Sequence, residues 1–531
     1  MAREFQRHAR TVTLLTFASR VGGLARDAAM SRVFGAGSLM DAFAFAFMVP
    51  NLFRRLFGEG ALSAAFLPEY ARWSDRDPIV AQRLAWIVVG GATVVVSALA
   101  IAAEIVAGAL AASGALEPLA WRLLAIMLPF APLVCLTALL GAMLQAHHRF
   151  GPTAAAPIVL NLLLVGASLA GLSLEPDFGI TIVAWAVLAA GVVQVLWSML
   201  ALRRVAPISR GQTGDEASRA AKQVARLALP MILGLGVLQL NTLLDGFIAS
   251  WPTMFGPTIL GVEYPLAEGS MAKLSWAQRL YEFPLGVFGI AVATAIFPAL
   301  ARLADDSVAF AQTLRRGVRL VIFIGLPASA GLMLVAEPLS AVVLQGRAFT
   351  PADTRATAWI LLGYAPAVWA YSLNQVLVRG FYARGDSMTP VRIAMGLVAL
   401  NLVLNVTLIW TPLGTAGLAW STAICAMLQT AWLMRAMTRK FGSAAEPGSF
   451  RLVDRAVWSS VGRSVIATAA MTAAVWCSLR LVPELAEGWW NALAALLVAV
   501  SIGGATMGVA AVALRMPELA WALGRSGSGD R

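Results

Sequence analysis

The chain has 531 residues, of which 59% are hydrophobic and only 13% charged, with a mean hydropathy of +0.76. A soluble domain carries about 25% charged residues, so this composition excludes a soluble multi-domain enzyme, and the abundance of apolar side chains excludes disorder. The net charge of +12 comes mostly from arginine; in a chain of long apolar runs it belongs to cytoplasmic loops, not to a nucleic-acid interface.

Taken in chain order, the runs predict an all-α integral membrane protein. A span needs about 20 mostly apolar residues. Fourteen segments qualify: 11–34, 39–68, 84–112, 119–146, 153–174, 178–202, 223–250, 271–300, 316–336, 354–382, 389–411, 414–437, 457–481 and 488–514. A transmembrane barrel would instead show alternating segments of about 10 residues. Arg3, Arg7 and Arg10 precede the first run and no small-residue cleavage site follows it, so it reads as a retained span.

Charge placement orients the spans. With the N-terminus inside, the cytoplasmic joints hold Arg72, Arg76 and Arg83, then Arg149, then Arg203, Arg204 and Arg210. Further along they hold Arg302, Arg315, Arg316 and Arg319, then Arg384 and Arg392, then Arg439, Lys440 and Arg455. The opposite joints are poor in bases and hold Glu117, Glu175, Asp177, Glu263 and Glu268. The alternation follows the positive-inside rule and implies an even number of spans with both termini cytoplasmic.

An internal repeat organises the chain. At one constant spacing, Gly179, Trp185, Gln194, Trp197 and Arg204 meet Gly414, Trp420, Gln429, Trp432 and Arg439. Asn161-Leu-Leu-Leu resembles Asn401-Leu-Val-Leu, and Phe66-Leu-Pro loosely echoes Phe297-Pro. Chance pairing of two Ala/Leu-rich helices explains apolar matches but not paired Trp, Gln and Arg. The repeat maps span 6 onto span 12 and so gives two parallel-related six-helix lobes, 1–210 and 211–442. Spans 13 and 14 with the tail, 443–531, are an appendage. Transporters built this way bind substrate between the lobes near mid-membrane.

An ionisable residue within a span costs at least about 2.5–3.5 kcal/mol and faces a cavity or a partner. The first two spans hold Arg20, Arg26, Asp27, Arg32, Asp41, Arg54, Arg55 and Glu59; span 7 holds Asp245, and span 8 holds Arg279 and Glu282, three apart on one helical face. Ion pairing and snorkelling account for part of this set, for instance Glu59 reaching Arg55. Arg20, Arg26, Arg54 and Arg279 are left as candidates to line a wet cavity. Guanidinium groups form planar, bidentate contacts to phosphate and stay protonated, so the ligand class is a phosphate-bearing anion.

Other signals are weaker. Asp75-Arg-Asp77 matches a metal motif of sugar-transfer enzymes but stands in a short basic joint, and His147-His148 lacks acidic or cysteine companions. The cysteines Cys135, Cys425 and Cys477 fit no metal spacing. No protease, hydrolase or P-loop motif is present.

Residues 19–72, SRVGGLARDAAMSRVFGAGSLMDAFAFAFMVPNLFRRLFGEGALSAAFLPEYAR, are similar to the N-terminal signature of the MurJ (MviN) family of lipid II flippases. WAQRLYEFPLGVFGIAVATAIFPALAR at 276–302 and RGFYARGDSMTPVRIA at 379–394 extend the resemblance along the chain. It implies membership of the multidrug/oligosaccharidyl-lipid/polysaccharide exporter superfamily and no enzyme activity. The implied function is flipping of undecaprenyl-diphosphate-linked disaccharide-pentapeptide from the cytoplasmic to the periplasmic leaflet of a bacterial inner membrane. It places the family's cavity arginines at Arg20, Arg26, Arg54 and Arg279, with Asp27, Asp41, Arg55, Glu59 and Glu282 as supporting charges. It also implies a sodium site near Asp245, Asn401, Asn405 and Thr422, where Asn405 stands in place of a carboxylate found in some relatives. Implied partners are lipid II, membrane lipids and the cell-wall synthesis or division machinery, without nucleic acid. No cofactor is implied; Na+ or the membrane potential is the driving force, and the polyprenyl tail runs along spans 13 and 14. Alternatives are another lipid-linked oligosaccharide or drug exporter, a membrane-embedded glycosyltransferase, or a division scaffold.

Overall fold

A computed structural model of the chain describes residues 2–58, 61–203, 205, 215–442, 452–480 and 488–523. Glu59, Arg204 and Arg210 lie outside the described residues. Packing divides the chain into two compact units, Met1–Ala272 with Gly346–Thr350, and Lys273–Gln345 with Pro351–Arg531.

The first unit contains α1 (Ala2–Phe34), α2 (Ser38–Phe53), α3 (Ala61–Arg76), α4 (Pro78–Ala112), α5 (Pro118–Met127), α6 (Phe130–Ala146), α7 (Gly151–Ala170), α8 (Pro176–Arg203) and α9 (Asp215–Met254). Its main core joins Phe66 and Tyr70 of α3, Leu84 of α4, Leu139 and Leu140 of α6, and Val224 of α9. The α9 helix, expected to open the second lobe, packs on α2, α3 and α4. A short hairpin, β1 (Thr258–Ile259) against β2 (Val262–Glu263), is the one sheet among the described residues of an otherwise helical chain.

The second unit runs through α10 (Ser270–Pro284, whose first three residues belong to the first unit), α11 (Ile290–Arg302), α12 (Ser307–Leu334), α13 (Ala336–Leu344), α14 (Pro351–Tyr364), α15 (Val368–Ala383), α16 (Met388–Leu408), α17 (Ala416–Gly442), α18 (Arg455–Arg480), α19 (Trp489–Ala513) and α20 (Pro517–Ala522). Its core joins Phe310 and Val318 of α12, Leu377 and Phe381 of α15, and Leu433 and Met437 of α17.

Each predicted span falls mainly on helix among the described residues. Among the described residues, eight helical segments are long and apolar enough to cross a membrane: Pro78–Ala112, Pro118–Ala146, Gly151–Ser173, Pro176–Arg203, Ser307–Leu334, Met388–Leu408, Arg455–Arg480 and Trp489–Ala513. Spans 1, 2, 7, 8, 10 and 12 do not meet that measure; the helices of spans 2, 8 and 10 are interrupted, and α1 carries Arg20, Arg26, Asp27 and Arg32. Outward faces are apolar: Val94 and Ile105 of α4 are 68% and 67% exposed, and Val509 of α19 is 70% exposed. Such stripes fit lipid, not water. Contact between helices then comes from close packing. Gly417 shows it, since a Cβ there would stand 2.8 Å from the Leu408 backbone carbon.

Spans 2 and 8 break in the same way. The α2 helix, with Pro50 inside it, passes into a π-helical turn at Arg54–Gly58, and α10, ending at Pro284, passes into one at Leu285–Gly289. Proline removes a backbone donor, and a π turn absorbs the extra residue. The two turns are separated in sequence by the same interval as Phe66 and Phe297, and both end in Phe-Gly. Gly35, after α1, has φ +68°, and a Cβ there would lie 2.7 Å from the Ala348 carbonyl oxygen; the segment 346–350 packs there, with the Ala348 amide donating to Arg32 O.

Two polar clusters fix the ends of second-unit helices. Arg384 lies over the rings of Phe310 and Phe441, while Asp386 accepts from Lys440 Nζ at 2.6 Å and from the Thr389 amide and hydroxyl. Burial alone raises the Asp386 carboxyl, but Lys440 and Thr389 together hold it below its ordinary value. A carboxyl depressed in the folded state stabilises above its unfolded pKa of about 3.9, and that contribution is lost as pH falls through the folded value. Asp386→Asn is therefore expected to lower thermal stability at neutral pH, with the difference from the wild type vanishing on acidification below the carboxylate range.

The second cluster was not anticipated. Glu518 of α20 is 1% exposed and accepts from Arg319 Nε at 2.7 Å and Ser460 Oγ at 2.6 Å, and Arg319 also lies over Trp521. A hydrogen bond to a charged group contributes about 1.5–3 kcal/mol. Glu518→Ala is expected to release α20 and raise protease cleavage across residues 514–523, with the membrane level unchanged.

Candidate functional site

In the first unit, Arg26 and Asp27 stand side by side in the α1 interior, both buried. Arg26 Nε and Nη2 donate to Asp27 Oδ1 at 3.0 and 2.7 Å, and Nη1 donates to Asn161 Oδ1 of α7 at 3.2 Å. Asn161 Nδ2 in turn donates to Ser19 O at 3.0 Å. Gly22 leaves room for this amide, since a Cβ there would come within 3.4 Å of it. Buried charge persists where it is paired and hydrogen-bonded. Asp27 is thus paired with its chain neighbour Arg26. Arg20 lies on the same helix, partly buried.

Arg54 opens the π turn and donates from Nε to Asn51 Oδ1 at 2.8 Å; Arg55 Nη1 donates to Gln239 Oε1 of α9 at 3.2 Å. Neutral amides orient both guanidiniums. Asp41 of α2 is fully buried. Its Oδ2 accepts from Thr253 Oγ1 at 2.8 Å and the Gly269 amide at 2.6 Å, and its Oδ1 accepts from the Ala272 amide at 2.8 Å. It therefore caps the start of α10, where free amides and the helix dipole favour an anion. Asp245 of α9 is buried in the same unit.

In the second unit, Arg279 is exposed on α10, and Glu282 accepts from Gln278 Nε2 at 3.3 Å. Asn401 and Asn405 of α16 and Thr422 of α17 come together with Ser421. Asn405 Nδ2 donates to Asn401 Oδ1 at 2.9 Å, Asn401 Nδ2 donates to Ser421 Oγ at 3.3 Å and Thr422 Oγ1 at 3.4 Å, and Ser421 Oγ donates to Asn405 Oδ1. The ring offers neutral amide and hydroxyl oxygens, the ligand type a hard cation takes, and here they hydrogen-bond to one another. Among the described residues no group of three or more His, Cys, Asp or Glu side chains is placed to hold a metal.

The sequence reading missed Asn51, Gln239, Thr253 and Asn374 as partners. Asn374 Nδ2 of α15 donates to Gln429 Oε1 at 3.2 Å. Gln429 is a repeat position, and its counterpart Gln194 donates to Ala156 O at 2.8 Å. The repeat was therefore a usable signal for buried polar clasps. An apolar cavity of about 520 Å³ lies between α12 and α18, lined by Leu326, Val465, Ala469, Thr472 and Trp476. It borders span 13 with span 9 opposite, and among the described residues its lining includes none of span 14.

The chain matches the family model described as lipid II flippase MurJ over residues 30–497. The chain belongs to the lipid II flippase MurJ family. A probable lipid II flippase MurJ of Vibrio cholerae serotype O1 is 34% identical over 485 residues, 87% of each chain. In fold, the chain is similar to a solved lipid II flippase MurJ in an inward closed conformation, with a TM-score of 0.75 at 22% identity, covering 95% of this chain and 99% of the other. It is also similar to an inward-facing multidrug resistance MATE family transporter of the MOP superfamily, with a TM-score of 0.64 at 14% identity, covering 82% and 98%. Family, fold and apolar outer faces together make it a multi-pass membrane protein.

Proposed function

We propose that this member of the family is a transporter, not an enzyme. It flips lipid II, the undecaprenyl-diphosphate-linked disaccharide-pentapeptide, from the cytoplasmic to the periplasmic leaflet. The observation that carries this reading is the family match across residues 30–497. Arginines inside the spans supply the matching chemistry: Arg20, Arg26 and Arg54 of the first two spans and Arg279 of span 8 hold the diphosphate while the sugars and peptide occupy water. Arg26 is pre-set by Asp27 and Asn161, and Arg54 by Asn51.

The two repeat lobes, 1–210 and 211–442, rock about the cationic site. The polyprenyl tail stays in lipid along the groove between α12 and α18, and 443–531 borders that path. Both termini are cytoplasmic in a bacterial inner membrane, and cell-wall synthesis enzymes receive the product. The membrane potential returns the cationic site to the cytoplasmic side, since one charge across 100 mV is worth about 2.3 kcal/mol. The test is expression in a bacterium depleted of its own lipid II flippase, with the leaflet exposing lipid II as the readout. Restored periplasmic exposure is expected. Lipid II retained inside, with the protein inserted at a normal level, overturns the reading.

A further inference from the structure

Arg379 of α15 sits one turn before the helix ends at Ala383, and its Nη1 donates to Thr294 Oγ1 of α11 at 2.7 Å. Among the described residues it has no carboxylate partner. Gln375, one turn earlier on the same face of α15, is exposed, as are Thr294 and, one turn later, Tyr382. A stripe of Gln, Arg and Tyr beside Thr is costly against hydrocarbon, so this face meets water or a polar ligand.

The Arg379 side chain is held by a neighbouring helix, which a side chain that merely reaches for the membrane surface does not need. The α11 and α15 helices run parallel. A Cβ at Gly289 would lie 2.6 Å from Ser372 Oγ, and Thr294 meets Arg379, so both helices advance together toward Arg302 and Arg384. Thr294 lies eight residues before Arg302, or ~12 Å along the helix. A snorkelling arginine turns outward to the interface. Arg379 instead fixes its guanidinium on Thr294 of the neighbouring helix. A neutral hydroxyl orients the fork without neutralising it, and guanidinium has five donors in all, an arrangement suited to a bidentate oxyanion.

We infer that Arg379, oriented by Thr294 and flanked by Gln375, is a binding position of the second unit for a phosphate-class oxyanion of the transported headgroup. This rests on the proposed function above and adds a contact outside its four arginines.

The test uses the full-length protein in lipid nanodiscs titrated with undecaprenyl diphosphate and, as an uncharged control, undecaprenol, with bound lipid counted by native mass spectrometry. Arg379→Gln is expected to weaken undecaprenyl diphosphate about tenfold and leave undecaprenol unchanged, while Arg379→Lys and Thr294→Val each lose about threefold, because charge or orientation alone is retained. Competition by inorganic pyrophosphate in the wild type, absent in Arg379→Gln, means the position accepts the free anion; loss in the variant without such competition means it needs the lipid-borne one. Either result supports the site. Wild-type preference for the diphosphate lipid with Arg379→Gln unchanged overturns this inference alone. A wild type with no preference for diphosphate over undecaprenol overturns the clamp of the proposed function as well.

Discussion

Arg26→Ala is expected to abolish periplasmic exposure of lipid II. Arg26 is 6% exposed, gives two donors to Asp27 and a third to Asn161, and is the most deeply buried of the candidate arginines. Removing it deletes a proposed phosphate ligand and takes the Arg26 side of a buried ion pair from Asp27; breaking one side of such a pair costs about 3–5 kcal/mol. The two effects separate in the double variant Arg26→Ala/Asp27→Asn, which also removes the buried carboxylate charge. It is expected to recover much of the lost thermal stability while transport stays absent. Arg26→Lys keeps the charge but not the planar fork and should retain only a fraction of transport. Wild-type lipid II exposure in the double variant, at a normal membrane level, would remove Arg26 from the clamp.

The largest effect on stability is expected from Asp41→Ala. The wild-type carboxylate is fully buried and accepts from the Thr253 hydroxyl and the Gly269 and Ala272 amides. Each donor left without an acceptor costs about 1–3 kcal/mol, so a loss of ~3 kcal/mol or more is expected. Asp41→Asn keeps acceptor oxygen but not the charge that favours the helix start, and falls between the two. Hydrogen exchange reads the cause directly: the Gly269 and Ala272 amides lose protection in the alanine variant. Arg279 lies about two and a half turns along α10, so transport is also expected to fall. Unchanged protection of those two amides would show that Asp41 does not cap the helix.

The candidate site was only partly legible. Arg26 and Asp27 stood out because charges inside apolar runs need a reason, and that reason is local. Their third partner, Asn161, lies 135 residues away, and the Asp41 acceptor geometry depends on Gly269, 228 residues away. Asp41 read as one more charge near the arginines, whereas its surroundings make it the cap of another helix. Of Asp245, Asn401, Asn405 and Thr422, the last three meet one another, and Ser421 closes them into a ring of hydrogen bonds that the family resemblance alone did not suggest; Asp245 belongs to the first unit.

Linear residue order was enough to establish a helical, membrane-embedded chain, its polar joints, its internal repeat and the unusual arginine content of its first spans. Each of these is a property of a window of about 20 residues, because the hydrocarbon thickness and the cost of charge act on segments one at a time. Three-dimensional packing settled the rest: the matching π turns in spans 2 and 8, the docking of α20 through Glu518, and the partner held by each buried polar group. Hydrogen bonds act over about 3 Å, so their pairing follows from which helices touch, and no pattern along a single helix specifies that.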